Sequence, residues 1–403
     1  MAGHTALAYV RKDVRVRILF TFAGGSGHFH PLVPVARAAE AAGHVVAFAA
    51  RTAMVATVQA TGFPVFPTGE RGGDETTRIP LRRLDPRRED LDLRDGFAGW
   101  MARGRAEAIQ TVCADWRPDL VVCDETDFGS MVVAERLELP YASVLVIAAG
   151  GFVRAELLSE NLNALRAGYG LPPDPDLAML SRYLVLSPVP PGYRDPAFPL
   201  PPTAHAVRLA EDVAAPSTPA PWTTTRPGAP TVYFTLGTVF NIESGDLFPR
   251  VLAGLRDLPV NLVVTMGRQI DPAEFGPQPD HVHLARYIPQ SLVLPHCDAV
   301  VSHGGSGSTI GALAYGLPMV LIPMGADQPH NAARCERLGV ARVLDAVDAT
   351  PEAVRDAVST VLAEPAYRQA ARAMRDDMGA LPGPEHAVTL LERLAADRCP
   401  VPR

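Results

Sequence analysis

A histidine in a glycine-rich loop near the start of the chain suggests proton chemistry. His28 stands in Ala23-Gly24-Gly25-Ser26-Gly27-His28-Phe29-His30-Pro31. An imidazole with an ordinary pKa near ~6.5 can accept a proton from a hydroxyl at neutral pH. A carboxylate behind the ring would orient it and stabilise the imidazolium that forms. Asp124 closes the apolar run Asp119-Leu120-Val121-Val122-Cys123-Asp124, and Glu125 and Asp127 are close enough in sequence to be rivals. As a dinucleotide fingerprint the first loop is poor. His30 stands where the third glycine belongs, and the next strand offers Arg51 and no acidic residue for a ribose. His30 itself is expected to cap the following helix or line the pocket.

The second half carries a pattern suited to an anion. His303-Gly304-Gly305-Ser306-Gly307-Ser308-Thr309 follows the strand Asp298-Ala299-Val300-Val301-Ser302 and opens a helix ending near Gly316. Glycines let the backbone approach closely, and a helix N-terminus adds partial positive charge, so a diphosphate is the natural guest. Leu236-Gly237-Thr238, at an equivalent strand end, could complete the cradle. Tight packing is the plainer reading of such a turn taken alone. Further on, Asp327 and Gln328 in Met324-Gly325-Ala326-Asp327-Gln328-Pro329-His330-Asn331 offer acceptors and a donor to sugar hydroxyls. The competing reading there is a turn leading into a helix capped by Asn331.

The elements that would position these groups alternate. Strands are expected at 16–22, 44–50, 64–66 and 119–124, and again at 231–236, 261–266, 298–302, 319–323 and 341–344. Helices lie between them, among them 31–43 and 97–116, so the fold class is α/β with parallel sheets. Two segments interrupt the rhythm. From Thr68 to Asp95, 15 of 28 residues are charged, which predicts a mobile surface loop. From Pro188 to Pro230, 12 of 43 residues are proline, which predicts a connector between domains.

Bulk composition narrows the class of partner. A chain of 403 residues is too long for one core, and 47% apolar with 20% charged residues is an ordinary globular balance. A formal net charge of −7 argues against a nucleic-acid partner. Lys12 is the only lysine. Cys113, Cys123, Cys297, Cys335 and Cys399 form no close pair, which predicts free thiols in a reducing cytoplasm. The first 15 residues lack the apolar run of a signal peptide, and the longest uncharged apolar stretch, 139–153, is too short to span a bilayer. There is no DxD or HExxH motif. His281 and His283 are expected on a solvent-facing strand.

Taken in order, Tyr287-Ile288-Pro289-Gln290, then Cys297 through His303-Gly304-Gly305, then Gly316-Leu317-Pro318 and Asp327 through Asn331 resemble the donor-site signature of the GT-B glycosyltransferases of the family-1 type. The branch resembled most is the bacterial one that decorates antibiotic and other natural-product aglycones. The resemblance implies two Rossmann-like domains facing across a cleft: an acceptor domain at 1–215, a linker at 216–230, a nucleotide-sugar domain at 231–380, and a final helix at 381–403 returning to the first domain. It implies His28 as general base with Asp124 as its orienter. His303 would contact the phosphates with Gly305, Ser306, Ser308 and Thr309, and with Gly237 and Thr238 nearby. Tyr287 would stack on the base, Ile288 would bond it through its backbone, Gln290 would line the same site, and Asp327 and Gln328 would hold the sugar. Members using ribose donors often carry a glutamate eight residues after the histidine. Gly311 stands there, so a dTDP-sugar is expected over a UDP-sugar.

The expected reaction is an inverting transfer of a deoxysugar to a hydroxyl, with no metal and no cofactor beyond the sugar nucleotide. The helix N-terminus and His303 would take up the leaving charge. Phe29, Trp100, Met101 and Phe152 are candidate acceptor contacts, although the same residues could be plain core. A homodimer is compatible with the sequence. Two other readings keep the fold: a nucleotide-sugar epimerase or hydrolase, and a non-catalytic partner that activates another enzyme.

Overall fold

The computed structural model describes residues 15–69, 78–209 and 225–403. Among the described residues, thirteen strands form two sheets. The first holds β1 (Arg17–Thr21), β2 (Val45–Arg51), β3 (Val65–Thr68), β4 (Leu120–Asp124), β5 (Tyr141–Val144), β6 (Leu184–Ser187) and β7 (Ala204–Ala206). The second holds β8 (Thr231–Thr235), β9 (Asn261–Thr265), β10 (Val282–Ala285), β11 (Ala299–Ser302), β12 (Met319–Leu321) and β13 (Ala341–Val343). Every pairing is parallel, in the orders β3-β2-β1-β4-β5-β6-β7 and β10-β9-β8-β11-β12-β13. Both are doubly wound, Rossmann-like sheets. The strands are short apolar runs because helices cover both faces. In β1, Ile18 and Phe20 enter one core and Leu19 the other.

Strand order reverses between β1 and β4 in the first sheet and between β8 and β11 in the second. In open α/β sheets, ligands collect in the crevice outside the strand ends at such a reversal. Thr21 pairs with Cys123, and Thr235 with Ser302, so each switch point brings two loops together at one edge.

Several expectations need correction. β5, β6, β7 and β10, each three or four residues long, are strands that the sequence did not lead one to expect. The proline-rich stretch is not a free connector along its length. Val189 and Tyr193 are fully buried, and β7 joins the sheet. The boundary expected at 215/216 lies outside the described residues. The charged segment is not a loose loop over its described part either. Ile79 donates its N–H to the Ile242 carbonyl at 2.8 Å, Arg78 pairs with Glu274 at 2.7 Å and Arg83 with Asp348 at 2.9 Å. Glu89 accepts the Ala326 N–H at 2.6 Å. The segment is a strap from the first lobe onto the second. The expected helix at 97–116 is regular only over Ala102–Trp116 and is preceded by a π-helical stretch, Asp92–Met101, kinked at Gly99.

The Pro384–Asp397 helix packs on the first lobe. Its Ala387, Val388, Leu391 and Leu394 share a core with Phe20, Val33 and Phe48, and Glu392 reaches His44 at 3.1 Å. No helix among the described residues is long and apolar enough to cross a membrane. Cys113, Cys123, Cys297 and Cys335 are buried and Cys399 is exposed, all as free thiols.

Candidate active site

The turn after β1 needs glycine for space. A Cβ on Gly24 would lie 2.1 Å from Cδ2 and 2.4 Å from Nε2 of the His28 ring. With that space free, the ring folds back and sets Nδ1 3.3 Å from Asp124 Oδ1. Asp124 is fully buried at the end of β4. Its Oδ2 accepts the Ala23 N–H at 2.7 Å, and its Oδ1 accepts both the N–H and the hydroxyl of Thr126 at 2.6 Å. The Thr126 hydroxyl also lies 3.3 Å from His28 Nδ1. With Nδ1 committed to this side, Nε2 is left for a substrate. Burial disfavours the charged imidazole, but the charge and hydrogen bond of Asp124 outweigh it and raise the His28 pKa. Burial likewise opposes the ionised Asp124, yet His28 and Thr126 hold its carboxyl below the usual range.

The rivals of Asp124 have other duties. Asp127 pairs with the fully buried Arg105 at 2.8 Å and caps the Phe128–Arg136 helix. Glu125 binds the Val146 and Ile147 N–H groups, each at 2.6 Å. Burial pushes its pKa up to about 7. His30 is exposed in the turn that follows His28.

At the second switch point His303 follows β11, between two glycines. Gly237 has φ +75°, and a Cβ there would sit 2.7 Å from His303 Cε1. One on Gly305 would sit 2.5 Å from Nε2. Both glycines are required by contact with the ring, and Thr238 beside them is exposed. Burial lowers the His303 pKa to about 4, offset only in part by the Thr235 backbone. Buried in this way, the ring is a neutral imidazole carrying a single N–H. Its Nδ1 and the Thr309 hydroxyl are buried and have no hydrogen-bond partner among the described residues. The Ser306–Ala314 helix starts beside them with no side-chain cap. Uncapped N–H groups and two orphaned polar atoms can receive an anion there.

The remaining donor candidates divide. Gln290 donates to the Ser308 hydroxyl at 3.1 Å. Tyr287 is exposed, with the Arg268 guanidinium 5.0 Å from its ring centroid, and Ile288 is half-buried. Gln328 is buried, and its Oε1 accepts the Met324 and Gly325 N–H groups. Asp327 Oδ2 accepts the Ser306 hydroxyl at 2.6 Å. The helix there runs Gln328–Arg337 with Asp327 at the N-cap position, so Asn331 is inside the helix and caps nothing.

Two acceptor candidates are corrected. Phe29 is fully buried among Phe22, Phe48 and Leu32. Phe152 is also core, meeting Phe97 edge-on at 6.5 Å. The aromatic ring beside the dyad is Phe97, stacked 6.3 Å from His28. Sequence reading passed over it because it sits in the π-helical stretch, outside any regular helical face. Trp100 is exposed and Met101 half-buried on that same stretch. His281 is not on a solvent-facing strand: it is buried before β10 and bonds the Arg256 carbonyl at 2.7 Å, while His283 on β10 is half-buried.

Residues 249–394 match the family described as erythromycin biosynthesis protein CIII-like, C-terminal domain. Over 95% of its length the chain is 27% identical to 3-alpha-mycarosylerythronolide B desosaminyl transferase of Saccharopolyspora erythraea, covering 99% of that protein. It is 29% identical to 4'-demethylrebeccamycin synthase of Lentzea aerocolonigenes, over 94% of this chain and 99% of that one. Among solved structures, glycosyltransferase VinC in complex with dTDP superposes with a TM-score of 0.73 at 25% identity, over 94% of this chain and all of that one.

Proposed function

We propose that this chain, a GT-B glycosyltransferase of the bacterial natural-product type, moves a deoxysugar from a dTDP-sugar to a hydroxyl of a polycyclic or macrolide-like aglycone with inversion at the anomeric carbon. The observation that carries this reading is the pairing of two complementary switch points. A His–Asp dyad stands at one, and an uncapped helix N-terminus with an orphaned histidine nitrogen stands at the other.

In this mechanism Nε2 of His28 takes the acceptor's hydroxyl proton as the oxygen attacks. Asp124 and Thr126 hold Nδ1 and stabilise the imidazolium. The leaving diphosphate is met by N–H groups of the Ser306–Ala314 helix, by the His303 ring and by the Thr309 hydroxyl, which act without reorganising. Asp327 and Gln328 offer Oδ1 and Nε2 to the sugar hydroxyls. Phe97, Trp100 and Met101 give an apolar wall for the aglycone. Relatives named as transferring desosamine support a deoxysugar, and the dTDP bound in the similar structure supports the nucleotide. Gly311 supports it as well, since no carboxylate stands there for a 2′-hydroxyl.

The test is a screen of dTDP-deoxysugars against macrolide and aromatic polyketide aglycones, with mass spectrometry of products and of released nucleotide. A glycosylated product with stoichiometric dTDP release is expected. Release of dTDP without an acceptor would indicate a hydrolase and overturn the reading.

A further inference from the structure

Resting on that reading, we infer that Ser306 is a positioning residue that ties the acceptor lobe to the donor lobe, and that it does not bind the donor's phosphates. The loop leaving β5 presents four consecutive backbone N–H groups, and the two lobes divide them. Glu125, next in sequence to Asp124, holds those of Val146 and Ile147. Ala148 donates to Ser306 Oγ at 2.8 Å and Ala149 to Asn331 Oδ1 at 3.1 Å, across the cleft between the lobes. Ala148 and Ala149 are buried in a core otherwise built chiefly from the second lobe.

The valence of the Ser306 hydroxyl completes the case. A serine hydroxyl has one proton and two lone pairs. Its proton goes to Asp327 Oδ2 at 2.6 Å and its oxygen receives the Ala148 N–H at 2.8 Å, while the Asn331 amide, 3.0 Å away, divides its two protons among Ser306, the Gly304 carbonyl and Asp327. A phosphate oxygen needs a donor, and the only proton Ser306 has is already held by Asp327, so a phosphate would have to displace that bond. Ser308 differs: it accepts from Gln290 and keeps its own proton. The Thr309 hydroxyl has no partner among the described residues. Ser308 and Thr309 are therefore the hydroxyls left for the diphosphate, and Ser306 sets the distance between the loop beside the base and the loop that holds the sugar. Misplacement of about 1 Å between reacting groups costs on the order of a hundredfold in rate.

The experiment compares Ser306→Ala, Ser306→Thr and Asn331→Ala with the wild type. Binding of dTDP alone is read by calorimetry, turnover by steady-state kinetics, and exchange of the Ala148 and Ala149 amides by hydrogen–deuterium exchange without ligand. Ser306→Ala should bind dTDP within twofold of wild type, lose at least tenfold in kcat and exchange these amides faster. Ser306→Thr should regain most of the loss, and Asn331→Ala should reproduce the pattern at Ala149. A fall in dTDP affinity matching the fall in kcat/KM, or unchanged amide exchange in Ser306→Ala, would overturn the inference. The exchange and dTDP measurements need no turnover, so failure of the transferase reading in the wild type is scored separately. If Ser306→Ala does not fold, Asn331→Ala decides by the same criteria.

Discussion

The Nδ1 atom of His28 faces Asp124 Oδ1 at 3.3 Å, and Asp124 has no exposed surface. The carboxylate is already held by Ala23 and Thr126, so the imidazole is oriented before any substrate arrives. Replacing His28 with Ala should lower kcat by ~10²–10⁴, with Asp124→Asn falling in the same range. Both variants should bind dTDP as the wild type does. Isothermal titration alongside initial rates checks this, and wild-type turnover in either variant would refute the roles assigned.

The raised His28 pKa fixes a direction for pH dependence. A base must be neutral to accept a proton, so kcat/KM should fall as pH drops through a midpoint above 6.5. Asp124→Asn removes the charge that raises the midpoint and leaves the burial that lowers it. Its acid limb should therefore move to lower pH. A midpoint that does not move would show that the limb belongs to another group.

Nucleotide preference should respond to Gly311 only together with its neighbour. A Cβ at position 311 would lie 3.2 Å from both Gln290 Oε1 and Leu294 Cδ1. Gly311→Glu alone should weaken binding of dTDP and UDP alike, by crowding. Combined with Gln290→Ala it should raise the UDP/dTDP ratio of kcat/KM. Comparable use of both nucleotides by the wild type would remove the basis for this prediction.

Glu125 should make stability pH-dependent. Its folded pKa of about 7 lies above the usual 4.5, so the folded state binds its proton more tightly over that interval. The associated stability is complete below the unfolded value and is lost as pH rises through the folded one, on the order of 3 kcal/mol in all. Glu125→Gln is neutral throughout. Its thermal midpoint relative to wild type should rise between about pH 5 and pH 8. Parallel curves would contradict the raised pKa.

The sheets were legible in the sequence wherever a buried strand runs five residues or more between punctuating glycines, as at Arg17–Thr21 and Thr231–Thr235. The strand-end positions of His28, Asp124 and the glycine turn at His303 were legible because strand-end loops must carry the polar residues of such a fold. Phe97, the strap at Ile79–Glu89 and the Ala148–Ser306 bond were not. Each depends on contacts between segments with no shared periodicity, the last of them 158 residues apart. Assigning Phe29 to the acceptor failed for a related reason. Its neighbour His28 turns toward the cleft, and the backbone between them sends the phenyl ring the other way, into the core.

The helix at Pro384–Asp397 closes a contact with His44 that spans 348 residues. A chimaera made by joining the first lobe of one such protein to the second lobe of another at the proline-rich junction would bring a foreign helix onto Phe20, Val33 and Phe48. Recombination designed to exchange lobes should therefore carry residues 384–397 along with the first lobe, since a splice at the junction alone would mismatch the packing beneath the sheet that bears His28.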